Sequence, residues 1–434
     1  MTAVAARGPT TTPTSVERRA TGMFRSLKVR NYRLYASGQL ISLTGTWMQR
    51  VAQDWLVLTI TNSGTALGIV TALQFGPALV FGLWGGMLAD RSDKRKLLLV
   101  TQSGLAVVAL VLGVLDVIGV VQYWHVLVLA GALGLIAAVD TPVRQSFVVE
   151  MVGRDELANA VAINATIFNI GRVIGPVVAG FLISAVGTGW AFVGNAASSI
   201  AVLVGLTMMR TAELHPSPAI ERARGQVREG FRYVRGRADL MLTMVLVFIV
   251  GTFGLNFQIT TALLAKQVFR RTATGYGLLS TALAIGACVG AVIATRRIRR
   301  PTQLFLVGTA LAFSVLEIGT GSMPNFDSTA LLLVPTGLVM LTLTTAANAS
   351  VQLGVEPTMR GRVMALYLMC FMGGTPVGAP LIGWMAGVFG PRWGLIGGGL
   401  ICLLAALGIA AVLAHRRGLR PGDIAGRMVA GVHA

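Results

Sequence analysis

Arg50 and Asp54 stand one helical turn apart inside an apolar stretch of this 434-residue chain. A guanidinium and a carboxylate at i,i+4 can neutralise each other, make a gate contact near the outer end of a helix, or handle a proton. In the last reading Asp54 is the protonatable group, and Arg50 tunes how readily it releases that proton as its surroundings open. The same stretch carries Ser42, Thr46, Gln49 and Gln53 at i, i+4, i+7 and i+11, one continuous helical stripe. Beside it runs Leu43, Trp47, Arg50 and Asp54, a row that starts apolar and ends charged. A polar face that wide points at a water-filled cavity or at other helices. In a later stretch, Arg172 offers either a partner for an acid on a neighbouring helix or an anchor for an anionic substrate. Thr252, Asn256 and Thr260, with Thr345, Asn348 and Gln352, add polar groups that serve as substrate contacts or as interhelical packing. Glu317 falls near the outer end of its stretch, where a coupling role is less expected.

These residues matter because their surroundings are so apolar. The chain is 54% hydrophobic and only 12% charged, with a mean hydropathy of +0.72. It divides into apolar runs at about 34–58, 66–88, 97–119, 124–146, 157–185, 189–209, 240–264, 275–295, 303–323, 329–353, 363–389 and 393–414. Each is about the length needed to cross a ~30 Å hydrocarbon core. In lipid such runs must be helices, so that backbone groups are satisfied internally. The expected architecture is an all-α integral membrane protein with 12 transmembrane helices. Its parts are an N-terminal tail (1–32), a six-helix bundle (33–210), a linker loop (211–239), a second six-helix bundle (240–414) and a C-terminal tail (415–434).

A charge of +19 raises nucleic acid as a partner, but the cations come in short bursts between apolar runs, which suits an anionic leaflet instead. Thirty of the 36 Lys and Arg fall in the two tails and in alternate loops. The opposite loops hold only Lys266, Arg270, Arg271 and Arg392. That imbalance predicts a multi-pass protein of the cell membrane with both termini in the cytoplasm. Residues 1–22 lack an apolar core and are expected to be a disordered tail rather than a cleaved signal peptide. In the linker, Pro216 and Pro218 precede a segment, Glu221 to Arg237, expected to form a surface helix.

The halves repeat each other. Adding 203 carries Gly171, Gly175, Gly180, Gly187, Trp190 and Gly194 onto Gly374, Gly378, Gly383, Gly390, Trp393 and Gly397 in one ungapped register. Parallel six-helix repeats with a substrate path between them are a pattern of secondary transporters. The four-residue spacings Gly82/Gly86, Gly171/Gly175, Gly286/Gly290 and Gly374/Gly378 allow close helix approach, and Pro176 can kink its helix.

The loop after the second run reads Gly86-Met-Leu-Ala-Asp90-Arg91-Ser-Asp93-Lys94-Arg95-Lys96. It resembles motif A of the major facilitator superfamily, with Asp93 in place of the second glycine. Gly171, Gly175, Pro176 and Gly180 resemble the family's antiporter motif C, with Ala179 replacing one glycine. Gly38-Gln39 through Gln49, Trp55 and the Asn159–Asn164 and Asn169–Arg172 segments are similar to the branch that exports siderophores and macrolides, the transmembrane secretion effectors. The resemblance implies two pseudo-symmetric six-helix bundles with spans one, four, seven and ten lining a cavity. It implies export of a small amphipathic molecule (drug, siderophore or macrolide-like) by proton antiport through alternating access. Importer, sodium-coupled transporter and non-transporting scaffold are the alternatives. On this reading Asp54 and Arg50 couple protons, and Gln49, Gln53, Arg172, Asn256, Asn348 and Gln352 meet substrate. Gly86, Asp90, Arg91, Lys94, Arg95, Asp140 and Arg144 form a cytoplasmic gate, with Asp90 latching onto the start of span eleven near Arg360 and Arg362.

Enzymatic and ATP-driven classes find no support. None of Lys28, Lys94, Lys96 and Lys266 follows a glycine, so no phosphate-binding loop is present. The four histidines are scattered without metal-ligand spacing, and Cys288, Cys370 and Cys402 all sit in apolar runs. No cofactor or metal is expected. The expected partners are a small-molecule substrate, protons and membrane lipid, with no nucleic acid, and the protein is expected to be a monomer.

Overall fold

A computed structural model describes residues 24–215, 226–295 and 300–417. The tails, the linker stretch containing Pro216, Pro218 and Glu221, and the cations Arg296, Arg297 and Arg299 lie outside the described residues. The chain is helical throughout these segments. Six long helices come first: α1 (Arg30–Thr61), α2 (Gly64–Arg91), α3 (Lys94–Val117), α4 (Tyr123–Val152), α5 (Leu157–Val186) and α6 (Thr188–Thr207). A short amphipathic helix, α7 (Gln226–Arg235), occupies part of the expected linker helix. The next traverse is broken: α8 (Ala238–Ile249), a π turn (Val250–Gly254), α9 (Phe257–Leu263) and a second π turn (Leu264–Val268). Then come α10 (Ala273–Thr295), α11 (Gln303–Ser322), α12 (Phe326–Gly354), α13 (Arg360–Phe389) and α14 (Trp393–Arg417).

Eleven of these traverses are long and apolar enough to cross a membrane. The exception is α1, which has the length at 32 residues but carries the polar stripe and the charged pair. Its Gln39, Ser42, Gln49, Gln53 and Asp54 are buried in protein, so their cost in lipid is avoided. Short polar caps set the helix starts. Ser63 accepts from the Ala66 amide, Asp93 from Lys96, Thr302 from Phe305 and Asn325 from Ser328. Gly187 and Gly390, mates under the 203-residue offset, end α5 and α13 with φ of +94° and +103°, a conformation that glycine reaches without strain.

The first six helices pack as one bundle, with α1 against α5 and α6, α2 against α4, and α3 against α4 and α6. The second bundle joins α10 to α12, α11 to α12 and α14, and α13 to the first π turn. The repeat holds in packing detail. Gly171 and Gly175 let α5 lie against α1 at Leu43–Trp47, and Gly374 and Gly378 let α13 lie against Gly251–Thr252. The Gly82/Gly86 spacing behaves differently: Gly82 has no neighbour within 4 Å, and Gly85 is the residue that seats α2 against the Ala138 carbonyl of α4.

Two seams join the bundles, α2 with α13 and α5 with α10. Both are tight at the end of the molecule away from the termini. A Cβ on Gly277 would strike the Pro176 carbonyl, and one on Gly68 the Ala379 carbonyl. Gly180 lies on Thr274, and Gly383 on Gly64. On the side of the termini the bundles part. Leu79 still reaches Gly373 at mid-span, but Gly82, about a turn farther along α2, has no neighbour within 4 Å.

Candidate functional site

The divergence of the bundles leaves a cavity of about 270 Å³ between them. Trp47, Arg50 and Val51 of α1 line it, with Arg172 and Pro176 of α5, Leu255, Phe257, Gln258 and Thr261 of the broken traverse, and Tyr276, Ser280 and Leu283 of α10. Met340, Leu341 and Thr344 of α12 and Phe371 of α13 complete the wall. Spans one, seven and ten take part as the resemblance implies. The fourth does not reach this cavity, and α5 and α10 stand in its walls instead.

Arg50 and Asp54 do not pair. The Arg50 guanidinium lies 4.7 Å from the centroid of Trp47 and 5.6 Å from that of Phe75. Asp54, 4% exposed, accepts a 2.6 Å hydrogen bond at Oδ2 from the Tyr276 hydroxyl on the other bundle. Aromatic faces attract a guanidinium, and the phenol supplies the carboxylate with a donor, so each charge is served without the other. Tyr276 also stacks on Trp55, at 6.5 Å between centroids and 17° between planes, and Lys266 sits 5.5 Å over the same indole. Among the described residues, Arg172 has no hydrogen bond or ion pair. Two guanidiniums without a carboxylate partner therefore face one cavity, beside Trp47, Phe257, Tyr276 and Phe371.

The polar stripe resolves into two faces. Ser42 is buried, and Gln49 accepts a hydrogen bond from Asn195 of α6, so this face packs inside the first bundle. Gln53 is buried too, with no partner for its amide nitrogen. Neither glutamine lines the cavity. Asn256 is turned away as well: its side-chain amide donates to the Thr252 carbonyl at 2.7 Å, and Thr260 returns to the Asn256 carbonyl at 3.3 Å. The cavity groups on this traverse are Gln258 and Thr261. The preceding π turn adds a residue to the helical repeat and so turns everything after it by about 100°. Only Gly251 and Gly254 hint at that break in sequence. On α12, the Thr344 carbonyl accepts from the Tyr367 hydroxyl at 3.3 Å, Asn348 is absent from the cavity wall, and Gln352 is exposed toward the end nearer the termini. Thr344, not Thr345, reaches the cavity. Tyr276 and Ser280 were not singled out in sequence, because an isolated Tyr and Ser in an apolar run read as ordinary packing. Glu317 is 1% exposed, and its Oε2 has no hydrogen-bond partner among the described residues.

The charged hairpin between α2 and α3 is built into the first bundle. Lys94 pairs with Glu150 of α4 at 2.6 Å, and Arg95 donates to the Leu206 and Thr207 carbonyls at the end of α6. Gly86 is buried. Asp140 pairs with Arg144 at 2.9 Å and accepts 2.8 Å bonds from Thr101 and Gln102 of α3. Arg362, near which Asp90 was expected to latch, pairs with Glu229 of α7 at 2.9 Å. At the junction of α7 and α8, Asp239 is held by Arg237 at 2.7 Å and Arg300 at 3.2 Å.

Among the described residues, twelve membrane-length traverses in two related bundles, around a largely apolar central cavity that two arginines enter, define a membrane transporter rather than an enzyme. The family model described as transmembrane secretion effector matches residues 21–427, and the chain belongs to that family, within the major facilitator superfamily. The staphyloferrin A transporter of Staphylococcus aureus (strain NCTC 8325 / PS 47) is 26% identical over 384 residues, covering 85% of this chain and 93% of that protein. The enterobactin exporter EntS of Shigella flexneri is 25% identical over 405 residues, covering 90% and 93%. Among solved structures, an inward-facing, unoccupied bacterial homolog of the human lysosomal transporter Spinster aligns with a TM-score of 0.69 at 15% identity, covering 90% of this chain and 97% of that one. The nucleoside transporter NupG aligns with a TM-score of 0.69 at 13% identity, covering 91% and 99%. These structural likenesses concern the fold.

Proposed function

We propose that this protein exports a small amphipathic anion of the siderophore type across the cell membrane, in exchange for protons. The observation that carries this reading is the pair Arg50 and Arg172, both on one cavity and both without a carboxylate partner among the described residues. A cation kept inside a membrane protein without a counter-ion needs one from its ligand. The aromatic side chains around the pair suit an apolar or aromatic ligand body. The exporting and siderophore-handling relatives favour the same cargo and direction.

Asp54 is the proposed coupling acid, since it is buried behind the cavity wall, bonded to Tyr276 and one helical turn from Arg50, both of which line the cavity. With both termini in the cytoplasm, as the cation distribution favours, the cavity belongs to an inward-open state and the tight glycine seams form the closed outer gate. Alternating access then requires those seams to open while the opposite ends of the bundles approach. There Asp90, Arg91, Lys94 and Arg95 make up the inner gate, backed by Asp140 and Arg144. The test is transport by reconstituted protein under an imposed pH gradient, with enterobactin and staphyloferrin A as probes. Gradient-driven movement of either, lost on collapsing the gradient, is the expected result. Movement that ignores the gradient rejects proton coupling, and movement of neither probe rejects the cargo class.

A further inference from the structure

We propose that the hydrogen bond from Tyr276 to Asp54 is a proton-sensitive bolt on the far-end gate, with Tyr276 the positioning residue that transmits the ionisation of Asp54 to the packing of the two bundles. This rests on the reading of Asp54 as the coupling acid.

Three observations carry it. First, among the described residues this is the one cross-bundle hydrogen bond between two buried side chains, with Asp54 4% and Tyr276 1% exposed. The other side-chain pairs that bridge the far end, Ser184 with Thr274, Lys266 with Thr59 and Gln267 with Asn62, are exposed. Second, Tyr276 lies on the seam itself. Its chain neighbour Gly277 takes the Pro176 carbonyl of α5, and its ring stacks on Trp55. A change at the phenol therefore acts directly on the surfaces that separate when the gate opens.

Third, the internal repeat provides a control. The two seams are mates, with Gly277 on Pro176 in one and Gly68 on Ala379 in the other. The position on α2 that matches Tyr276 is Leu67, and the repeat packing that carries Thr44 onto Thr252 puts the match of Asp54 at Ala262–Leu263; all are buried and apolar. One seam thus closes on glycine and apolar packing alone. The polar pair in the other is not required for closure as such, and burying it costs desolvation.

The chemistry explains its use. A phenol donating to an ionised carboxylate makes a hydrogen bond about twice as strong as one between neutral groups, so protonating Asp54 weakens the bolt. The charged groups around the pair are Arg50 on the same helix, Arg172 on α5 across the cavity and Lys266 over Trp55. The Asp140–Arg144 pair of α4 stays inside the first bundle, bound to α3. After a proton leaves through the cavity, the ionised Asp54 holds the empty carrier shut at the far end. An anion on the arginines repels the ionised Asp54 and loosens the bolt, so the loaded carrier opens outward; a proton taken up from the far side after the anion leaves then lets the emptied carrier return.

Spin labels on Val186→Cys at the end of α5 and Ser322→Cys at the end of α11, with Cys288, Cys370 and Cys402 replaced, report the far-end distance without substrate. The parent is expected to lengthen on acidification. Tyr276→Phe, which keeps the stacked ring, should be long already at mildly alkaline pH and ignore pH. Asp54→Asn, a neutral acceptor like the protonated acid, loses the charge-assisted bond and should be longer than the parent at mildly alkaline pH and ignore pH. A parent without a pH response, or a Tyr276→Phe variant that responds as the parent does, overturns the bolt. Gradient-driven transport by the parent is scored separately. A parent that couples to protons while Tyr276→Phe keeps the far-end response rejects the bolt and spares the exporter reading. A response lost in Tyr276→Phe upholds the bolt whatever the cargo.

Discussion

Arg172 meets the cavity from α5 without a protein counter-charge, and Gln in its place keeps reach and hydrogen-bonding capacity while removing the charge. Because a hydrogen bond to a charged group contributes about 1.5–3 kcal/mol, Arg172→Gln is expected to weaken anion binding roughly tenfold or more. Binding of the same ligand to both proteins, measured by titration, checks this, and an unchanged affinity removes Arg172 from the substrate site. At Asp54 the expectation is different in kind. Asp54→Asn should bind substrate but lose export driven by a pH gradient, with normal amounts of protein in the membrane. Export at the parent's rate in that variant dissociates Asp54 from coupling.

The broken traverse and the glycine seams carry most of the mechanical meaning among the elements. The π turn at Val250–Gly254 decides that Gln258 and Thr261, rather than Asn256 and Thr260, face the cavity. Such turns inside helices are frequent at functional sites. Gly277 lies where the α10 backbone passes the Pro176 carbonyl, and a leucine there has no room. Gly277→Leu is expected to cost about 1–3 kcal/mol, in line with overpacking elsewhere. It should lower thermal stability and hold the far end open, so that export slows even with every cavity residue intact. A variant as stable and active as the parent would show that the seam tolerates separation. The hairpin after α2 makes a comparable case: its Lys94 and Arg95 anchor α3 to α4 and α6 inside one bundle. The gate role proposed for it therefore centres on Asp90, and Asp90→Asn is expected to impair transport without changing which loops face the cytoplasm.

For the whole molecule, orientation and conformational state go together. If the termini are cytoplasmic, an impermeant thiol reagent added outside intact cells should label Val120→Cys, between α3 and α4, and leave Thr211→Cys, after α6, untouched. The reverse pattern inverts the direction of every gate assignment made above. The exposed apolar surface of α2 around Trp84 and of α13 around Met372 lies where the bundles part, so closure at that end is expected to protect both helices from labelling when an outward-open state is trapped.

Helix number, the doubled architecture and the presence of two arginines inside apolar runs were legible in the amino-acid order because each depends on local properties. Apolar length demands a helix in lipid, a repeat shows itself as a constant offset, and charge inside an apolar run is costly enough to be noticed. Which way each polar residue points was not legible. Gln49 turned to Asn195, 146 residues on, Arg50 left Asp54 for Trp47 one turn back on its own helix and Phe75 on the next, and Asn256 yielded its place to Gln258 through a one-residue shift in helical register. Asp54 found its partner 222 residues later, on the other bundle. That pairing exists only because two seams bring the bundles together, and no local pattern encodes a contact made across them.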